Sequence, residues 1–225
     1  ILFVNKNTSF NYKINDNSMS FSSDDNKNKY NGKIFFKPFY LNTSFNYEGL
    51  STKNLFNEDT ILIDLIKSEI LSNKNLNANF DINIKDITNI SELNDLNLYV
   101  GVEQGDIGFS NSNIMWKKDL KISLSESLLN YNGDNEINLI GKIIIDFKDL
   151  DNFYRSFQVK KSYRKKINQI QIDFIYNFNS KNINFDNVKI DKVSNTELEN
   201  YISDFNRKEN RVFNKITFKN FVYNF

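Results

Sequence analysis

Apolar and polar residues alternate along much of this chain. The stretch Leu76–Ile84, LNANFDINI, has an apolar residue at every even position and Asn or Asp at every odd position. A period of two is typical of a β-strand with one buried face and one face in water. The other stretches that share this pattern are Phe10–Ile14, Leu96–Val102, Ile107–Phe109, Leu120–Leu124, Ile137–Phe147 and Ile170–Phe178. Because buried parallel strands are usually continuously apolar, the alternation predicts a mainly β fold with a long antiparallel sheet.

Turn-forming residues lie between these strands. Asn132-Gly133, which precedes Ile137–Phe147, is a preferred dipeptide of tight hairpin turns. Gly105 and Gly108 predict a turn or a bulge before Phe109. Pro38, the only proline, predicts a strand edge or a bend within FFKPFYL.

Three segments have the period of a helix. The first covers about residues 57–71, with Asn57 or Asp59 as its cap, and the second covers about residues 150–157. The third opens with Ser194-Asn-Thr-Glu197, which has the spacing of a capping box, and should end near Lys208. We therefore expect two or three short helices that cover the ends or one face of the sheet. The final residues, FNKITFKNFVYNF, predict a return to strand.

The organisation of the chain is that of one mainly β region. It starts at Ile1 and stops in an apolar run at Phe225, so we interpret residues 1–225 as a fragment of a larger protein. GKIFF at Gly32 and GKIII at Gly141 each precede a strand, a helix and a strand. This similarity is the basis for the hypothesis of a weak internal repeat, residues 32–84 and 141–178.

Composition narrows the functional classes. Asn occurs 40 times and Ala once, a bias that reflects AT-rich codons more than chemistry. The formal charge of +1 gives no general attraction to nucleic acid, and we expect no nucleic-acid partner. Without Cys or His, disulfides, thiolate metal sites and Ser-His-Asp chemistry are excluded within these residues. The sequence contains no apolar run of about 18 residues, so it predicts no membrane-spanning helix within these residues.

Few residues group in a way that predicts catalysis. The carboxylates are scattered, and no spacing marks the opposed pair of a glycosidase. Asp24–Asn28 partly resembles a calcium loop but lacks its Gly and its closing Glu. We therefore predict no catalytic residue, no cofactor and no metal, and we expect that the chain is not an enzyme.

One basic cluster and one tryptophan remain. We interpret Lys160–Lys166, KKSYRKK, as a solvated connection between a helix and a strand. The alternative is a segment that contacts anionic headgroups or another acidic partner. Trp116 lies in NIMWKKDL, where packing in the core or at a sheet edge is expected.

A pattern of spaced apolar residues with one Trp and one Gly extends through residues 76–150. Its positions are Leu96, Leu98, Val100, Ile107, Phe109, Trp116, Leu120, Ile122, Leu124, Gly141 and Ile143. This pattern resembles that of the AsmA-like family of bacterial envelope proteins, and the segments FFKPFYLNTSFNYEGL and NFDNVKID also resemble that family. The resemblance implies a non-catalytic periplasmic protein, anchored in the inner membrane through a segment outside these residues. It also implies a curled sheet with an apolar concave groove that binds or conducts phospholipid and supports outer-membrane maintenance.

The candidate lipid-contacting residues are apolar residues of the alternating strands. They are Leu76, Phe80, Ile82, Ile84, Leu98, Val100, Ile107, Phe109, Ile122, Leu124, Ile143, Ile145, Ile172 and Phe174. A continuous apolar groove suits an acyl chain because each buried methylene contributes about 0.8 kcal/mol. The same residues would also serve as the closed core of a sandwich or of a helix-covered sheet. The alternatives are therefore a structural or adhesive β-sandwich or solenoid module, and a carbohydrate-active enzyme with two carboxylates in one cleft.

Overall fold

The computed structural model describes residues 10–23, 28–51, 73–88, 90–132, 136–180 and 182–207. Strands dominate these residues, which confirms the predicted mainly β fold with few helices. The thirteen described strands are β1 Phe10–Asn15, β2 Ser18–Ser23, β3 Asn28–Phe36, β4 Phe39–Leu50, β5 Asn77–Ile87, β6 Leu93–Glu103, β7 Asp106–Gly108, β8 Asn113–Trp116, β9 Leu120–Asn132, β10 Glu136–Phe147, β11 Gln169–Asn177, β12 Asn182–Ile190 and β13 Val193–Ser194. The two described α-helices are α1 Leu150–Ser156 and α2 Thr196–Arg207, and a 3₁₀ turn covers Lys161–Tyr163.

The strands are hydrogen-bonded in one mixed sheet. Its order is β1-β2-β3-β4-β5-β6-β7-β9-β10-β11-β12-β13, and β8 pairs with β6 and β9. Sequential neighbours such as β5 and β6 pair antiparallel, as predicted. The antiparallel prediction is wrong for β4 and β5, which run parallel from Tyr40 opposite Asn77 to Leu50 opposite Ile87. Alternation reveals which residues share a face but not the direction of a strand, so the sequence pattern missed this pairing.

The chain divides into two compact units. Unit 1 comprises residues 1–114 and 128–130, and unit 2 comprises residues 115–127 and 131–225. Unit 1 contains β1–β7, whereas unit 2 contains β10–β13 and both described helices.

Two turns of unit 1 follow the sequence prediction. Gln104 and Gly105 join β6 to β7 with φ values of 52° and 95°, the two positive values of a type I′ hairpin turn. Lys37 and Pro38 form the two-residue turn between β3 and β4, and the peptide bond between them is cis. Gly105 is therefore a turn residue and Pro38 marks a bend, as predicted.

Unit 2 has a closed core under its two helices. Phe153 and Tyr154 of α1 and Leu198 and Ile202 of α2 are at least nine-tenths buried. They belong to one cluster with the strand residues Leu120, Ile170, Ile172 and Val188 and with Val159 and Ile167 from the connection before β11. The Phe153 ring also meets Phe147 of β10 edge-on, at a centroid distance of 5.2 Å. The apolar face of β9–β12 is thus covered by protein.

Both helices are at the predicted places, but one cap differs. The Asp149 carboxylate accepts a hydrogen bond from Asn152 N–H at 2.9 Å and caps α1. At α2 the Asn195 side chain accepts from Leu198 N–H at 3.0 Å, and the Asn195 carbonyl accepts from Glu199 N–H. The predicted capping box from Ser194 to Glu197 is therefore wrong by one residue, because the amide of Asn195 reaches the third helical N–H.

Several predictions fall outside the described residues. These are the helix near 57–71, the strand after residue 208, most of the Asp24–Asn28 loop and the turn residue Gly133. The repeat of residues 32–84 and 141–178 stays a prediction. Its two halves differ in one respect, because β5 is parallel to β4 whereas β11 is antiparallel to β10.

Candidate functional site

The strand registers of unit 1 bring apolar residues from successive strands onto one face. Ile82 of β5 lies opposite Leu98 of β6 on one side and opposite Phe45 of β4 on the other. The same alignment extends from β1 to β7 and reaches Leu129 of β9. We call this set the apolar face of unit 1: Tyr12, Ile14, Met19, Phe21, Tyr30, Gly32, Ile34, Leu41, Thr43, Phe45, Tyr47, Ala78, Phe80, Ile82, Ile84, Leu96, Leu98, Val100, Val102, Ile107 and Leu129.

The apolar face of unit 1 is broad and carries no charged side chain. With strands about 4.8 Å apart it extends about 24 Å from β1 to β6, and about 20 Å along β5 from Ala78 to Ile84. Thr43 interrupts it, and its hydroxyl donates to the Asn79 carbonyl at 3.3 Å. Gly32 lies opposite Phe21, whose ring covers the space that a side chain at Gly32 would need. The face is thus a continuous apolar surface and not a single pocket.

Aromatic rings line the part of this face formed by β2, β3 and β4. The Phe21 and Tyr30 centroids are 6.5 Å apart, and those of Tyr30 and Phe45 are 6.3 Å apart. Phe45 and Tyr47 stack with an angle of 8° between their planes. Burial, followed by the proximity of Tyr30, raises the pKa of Tyr47 above its ordinary value of 10.0. The Tyr47 hydroxyl is therefore partly shielded from water.

The opposite face of unit 1 is polar. Asn79 donates to the Tyr40 hydroxyl at 2.6 Å, and Asn83 donates to the Asn46 side-chain oxygen at 3.2 Å. Lys85 and Glu48 form an exposed ion pair at 3.7 Å. These hydrogen bonds link β4 to β5 on the side that faces water, as the Asn and Asp positions of LNANFDINI predict.

The residues of the apolar face of unit 1 differ in how far they are buried. Most of them are half-buried, Tyr12 and Ile14 are 64% and 60% exposed, and Ile84 is buried with 2% exposure. A small packed cluster of Ala78, Val102 and Ile107 occupies the end near the β6–β7 turn. Both described helices belong to unit 2, so within the described part of unit 1 this face has no helix of its own.

Eight of the predicted lipid-contacting residues lie in unit 1. Six of them are on its apolar face: Phe80, Ile82, Ile84, Leu98, Val100 and Ile107. Leu76 and Phe109 lie just outside β5 and β7, and both pack against the small cluster at the end of the face.

The other six predicted residues lie in unit 2. Ile172 is part of the closed core, and Ile122 and Ile145 pack against it. The cluster around these three residues includes apolar side chains of α1 and α2, and contact with lipid stays a prediction for them. Phe174 is 4% exposed and lies opposite Gly141, whereas Leu124 and Ile143 are half-buried.

The prediction missed the contribution of β2, β3 and β4 to this face. Leu41, Phe45 and Tyr47 alternate along β4, and Phe21 and Tyr30 occupy the matching places on β2 and β3. The alternation that predicts a strand was present in the sequence, since these apolar positions alternate with Asn, Ser and Lys. Their ring contacts across three strands depend on register, which the sequence does not give.

A cavity with several charged residues in its lining lies within unit 2. This cavity of about 590 Å³ is lined by residues that include Glu126, Lys142, Asp173 and Asp186. Lys142 is paired with Glu126, and this hydrogen bond raises the pKa of Lys142. Asp173 lies opposite Asp186 and accepts a hydrogen bond from the Asn187 amide at 3.0 Å. Within the described ranges, no group of three or more acidic, His or Cys side chains is arranged to hold a metal ion.

The basic cluster and the tryptophan are in their expected environments. Residues 160–163, 165 and 166 are exposed in the connection from α1 to β11, while Arg164 donates to the Val159 carbonyl at 3.1 Å. The Trp116 ring lies 6.0 Å from Phe157 at the border of the unit 2 core. No helix among the described residues is both long and apolar enough to cross a bilayer.

Comparison with protein-family models, with curated proteins and with solved structures finds no match for this chain.

Proposed function

We propose that the chain is a non-catalytic lipid-binding protein that holds the acyl chains of phospholipid, or of another lipid, along the apolar face of unit 1. The observation that carries the proposal is the alignment of uncharged, mostly half-buried residues over β1–β7. A lipid that slides needs a long apolar surface without a polar clamp, and this face has those properties. The resemblance of residues 76–150 to AsmA-like proteins supports the same function.

The energetics are those of reversible binding. A methylene in contact with one wall is about half removed from water, so it contributes roughly 0.4 kcal/mol, half of the value for full burial. An acyl chain of about 14 methylenes would then gain roughly 6 kcal/mol, which corresponds to binding in the range of tens of micromolar. Binding in this range is reversible and permits transfer of the lipid.

The cellular setting follows from the same resemblance. The proposed protein works in the periplasm, is anchored in the inner membrane through a segment outside these residues, and supports outer-membrane maintenance. The competing hypothesis, a structural or adhesive β module, is favoured by the closed core of unit 2, since a covered sheet needs no ligand.

The experiment measures lipid carried by the purified chain. After expression in a bacterial host and detergent-free purification, extracted lipid is quantified by mass spectrometry per mole of protein. The cross-strand double variant Ile82→Asn/Leu98→Asn places amides in the apolar face and should lower bound phospholipid at least about tenfold. The matched control is Asn83→Ala/Asn97→Ala, the neighbouring pair on the polar face, which should retain it.

Two results contradict the proposal. One is a native chain that carries no lipid and takes none up from a photoactivatable phospholipid. The other is equal lipid retention by both double variants when circular dichroism shows them folded.

A further inference from the structure

The β3–β4 hairpin ends in exposed aromatic side chains. We define the hairpin tip as residues 35–39, Phe-Phe-Lys-Pro-Phe. Phe35, Phe36 and Phe39 are 37%, 40% and 42% exposed. Phe36 lies opposite Phe39, so the two rings flank the Lys37-Pro38 turn. Three neighbouring exposed aromatics are costly in water and are typical of a surface that contacts an apolar medium.

The aromatic residues of the hairpin tip project from both faces of the hairpin. Phe36 shares a face with Ile34, whereas Phe35 lies on the other face, where its ring is 6.3 Å from Tyr40. A sheet that packs on one side requires apolar residues on that side only. Internal packing of unit 1 therefore does not account for Phe35, and the tip is suited to apolar surroundings on both sides.

The charges carried by the β3–β4 hairpin, residues 28–47, have one sign. From Asn28 to Tyr47 the chain carries Lys29, Lys33 and Lys37 and no carboxylate. The Lys33 ammonium lies 4.5 Å from the centroid of Phe35. The carboxylate of Asp16 is in the adjacent β1–β2 turn, where the Asn17 carbonyl accepts a hydrogen bond from Phe36 N–H at 3.0 Å. Aromatic rings flanked by lysines are characteristic of segments that lie at the interface of an anionic bilayer.

Pro38 also makes the hairpin tip suited to contact with a bilayer. Pro38 has no N–H, so the turn exposes one backbone donor fewer than another dipeptide would. A backbone donor without a partner is costly in the bilayer interior, and its absence lowers the cost of shallow insertion.

We propose that the hairpin tip inserts into the surface of an anionic phospholipid bilayer. The inference rests on the proposed function, which it extends by giving the place where unit 1 meets the membrane that supplies or receives its lipid. Phe36 and Phe39 enter the interface, and Lys33 and Lys37 contact the headgroups.

The test is co-sedimentation of the 225-residue chain with vesicles of phosphatidylcholine containing 30 mol% phosphatidylglycerol. Phe36→Ser/Phe39→Ser should lower the partition coefficient at least about tenfold, because two exposed rings no longer leave water. Lys37→Gln should lower it about fivefold on these vesicles and leave it unchanged on pure phosphatidylcholine. The matched control Ile175→Ser removes a side chain that is 45% exposed on β11 of unit 2 and should bind like the native chain.

A conservative variant measures insertion directly. Phe39→Trp in a Trp116→Phe background places one indole at the tip. Its fluorescence should shift to shorter wavelength on the anionic vesicles and be quenched by phospholipid brominated near the headgroup.

Several outcomes overturn the proposal: no binding by the native chain, equal binding by Phe36→Ser/Phe39→Ser, or no quenching of the introduced indole. Binding that instead disappears in Lys160→Gln/Lys161→Gln assigns the contact to the basic cluster of unit 2. An oligomer that Phe36→Ser/Phe39→Ser converts to a monomer, without vesicle binding, makes the tip an interface between copies. Failure here is distinct from failure of the proposed function, because Lys37→Gln, which changes no residue of the apolar face of unit 1, should lower vesicle binding and keep the lipid that Ile82→Asn/Leu98→Asn loses.

Discussion

Gly141 of β10 allows a close approach of β9 that any larger residue would disturb. A Cβ atom built on Gly141 would lie 2.7 Å from both Cα and Cβ of Ser127, which is completely buried. Glu126, the residue before Ser127, has a φ of 49° in the middle of β9. The nearest atom, Ser127 Oγ, can rotate away from the added carbon, but the Cα and Cβ of Ser127 cannot. The substitution Gly141→Ala therefore forces backbone atoms apart.

Two opposing contributions set the expected change in the free energy of unfolding of Gly141→Ala. Replacing Gly by Ala within a strand stabilises by about 0.5–1 kcal/mol when the site has room, because the unfolded chain loses freedom. Overpacking in a rigid interior costs about 1–3 kcal/mol. Backbone contacts at 2.7 Å belong at the upper end of that range, so Gly141→Ala should lower the free energy of unfolding by about 2 kcal/mol. For a chain of this length, that change corresponds to a fall in Tm of roughly 4–8 °C.

The assay is thermal and urea unfolding followed by fluorescence of Trp116, which lies in unit 2 and is the only tryptophan. The control is Gly101→Ala in β6, where the nearest atom to the added Cβ is Tyr99 Cε1 at 3.5 Å. This variant should be neutral or more stable by about 0.5 kcal/mol. The reasoning is refuted when Gly141→Ala unfolds at the native midpoint, or when Gly101→Ala loses as much stability as Gly141→Ala.

Two further predictions concern unit 2. Asn195→Ala should cost about 1 kcal/mol of stability through loss of the α2 cap, whereas Ser194→Ala should cost less than about 0.5 kcal/mol; urea midpoints in the reverse order would restore the capping box. Burial raises the pKa of Tyr154, whose hydroxyl donates to the Lys165 carbonyl at 2.8 Å. The folded state therefore keeps a proton that the unfolded state loses above pH 10, so stability should fall as pH rises from about 10. Tyr154→Phe should be about 1 kcal/mol less stable at pH 7 and show a shallower fall, and an unchanged pH dependence would show that Tyr154 does not contribute.

The local elements of this fold could be predicted from the sequence because each depends on neighbouring residues. The alternation around Ile82 and Leu98 predicts two strands, and the helical spacing of Leu198 and Ile202 predicts α2. The parallel pairing of β4 with β5 could not be predicted, because a period of two is the same in either direction. The close approach of Gly141 to Ser127 is a contact between strands that no local pattern of the sequence encodes, and the positive φ of Glu126 occurs at a residue type that does not favour it.

The candidate site was predictable only in part for a different reason. Alternation shows that Ile82 and Ile172 both avoid water, but it does not show which atoms replace the water. In unit 2 the helices α1 and α2 supply those atoms, so Ile172 belongs to a core. In unit 1 the neighbours of Ile82 across the strands are Phe45 and Leu98, and the side chain is half-buried. Coverage depends on contacts between distant segments, and the period of a strand does not encode them.

The parallel pairing of β4 with β5 also affects how unit 1 assembles. Tyr40 must meet Asn77 across 36 intervening residues, whereas Glu103 meets Asp106 across two. Since the entropy of loop closure grows with the logarithm of loop length, the longer closure costs roughly 2.5 kcal/mol more. The β1–β4 hairpins and the β5–β7 hairpins can each form from local contacts. The pairing of β4 with β5 is therefore the loop closure with the highest entropic cost among the described strands of unit 1. Until this pairing forms, the aromatic rings on β2–β4 do not contact the aliphatic side chains on β5 and β6.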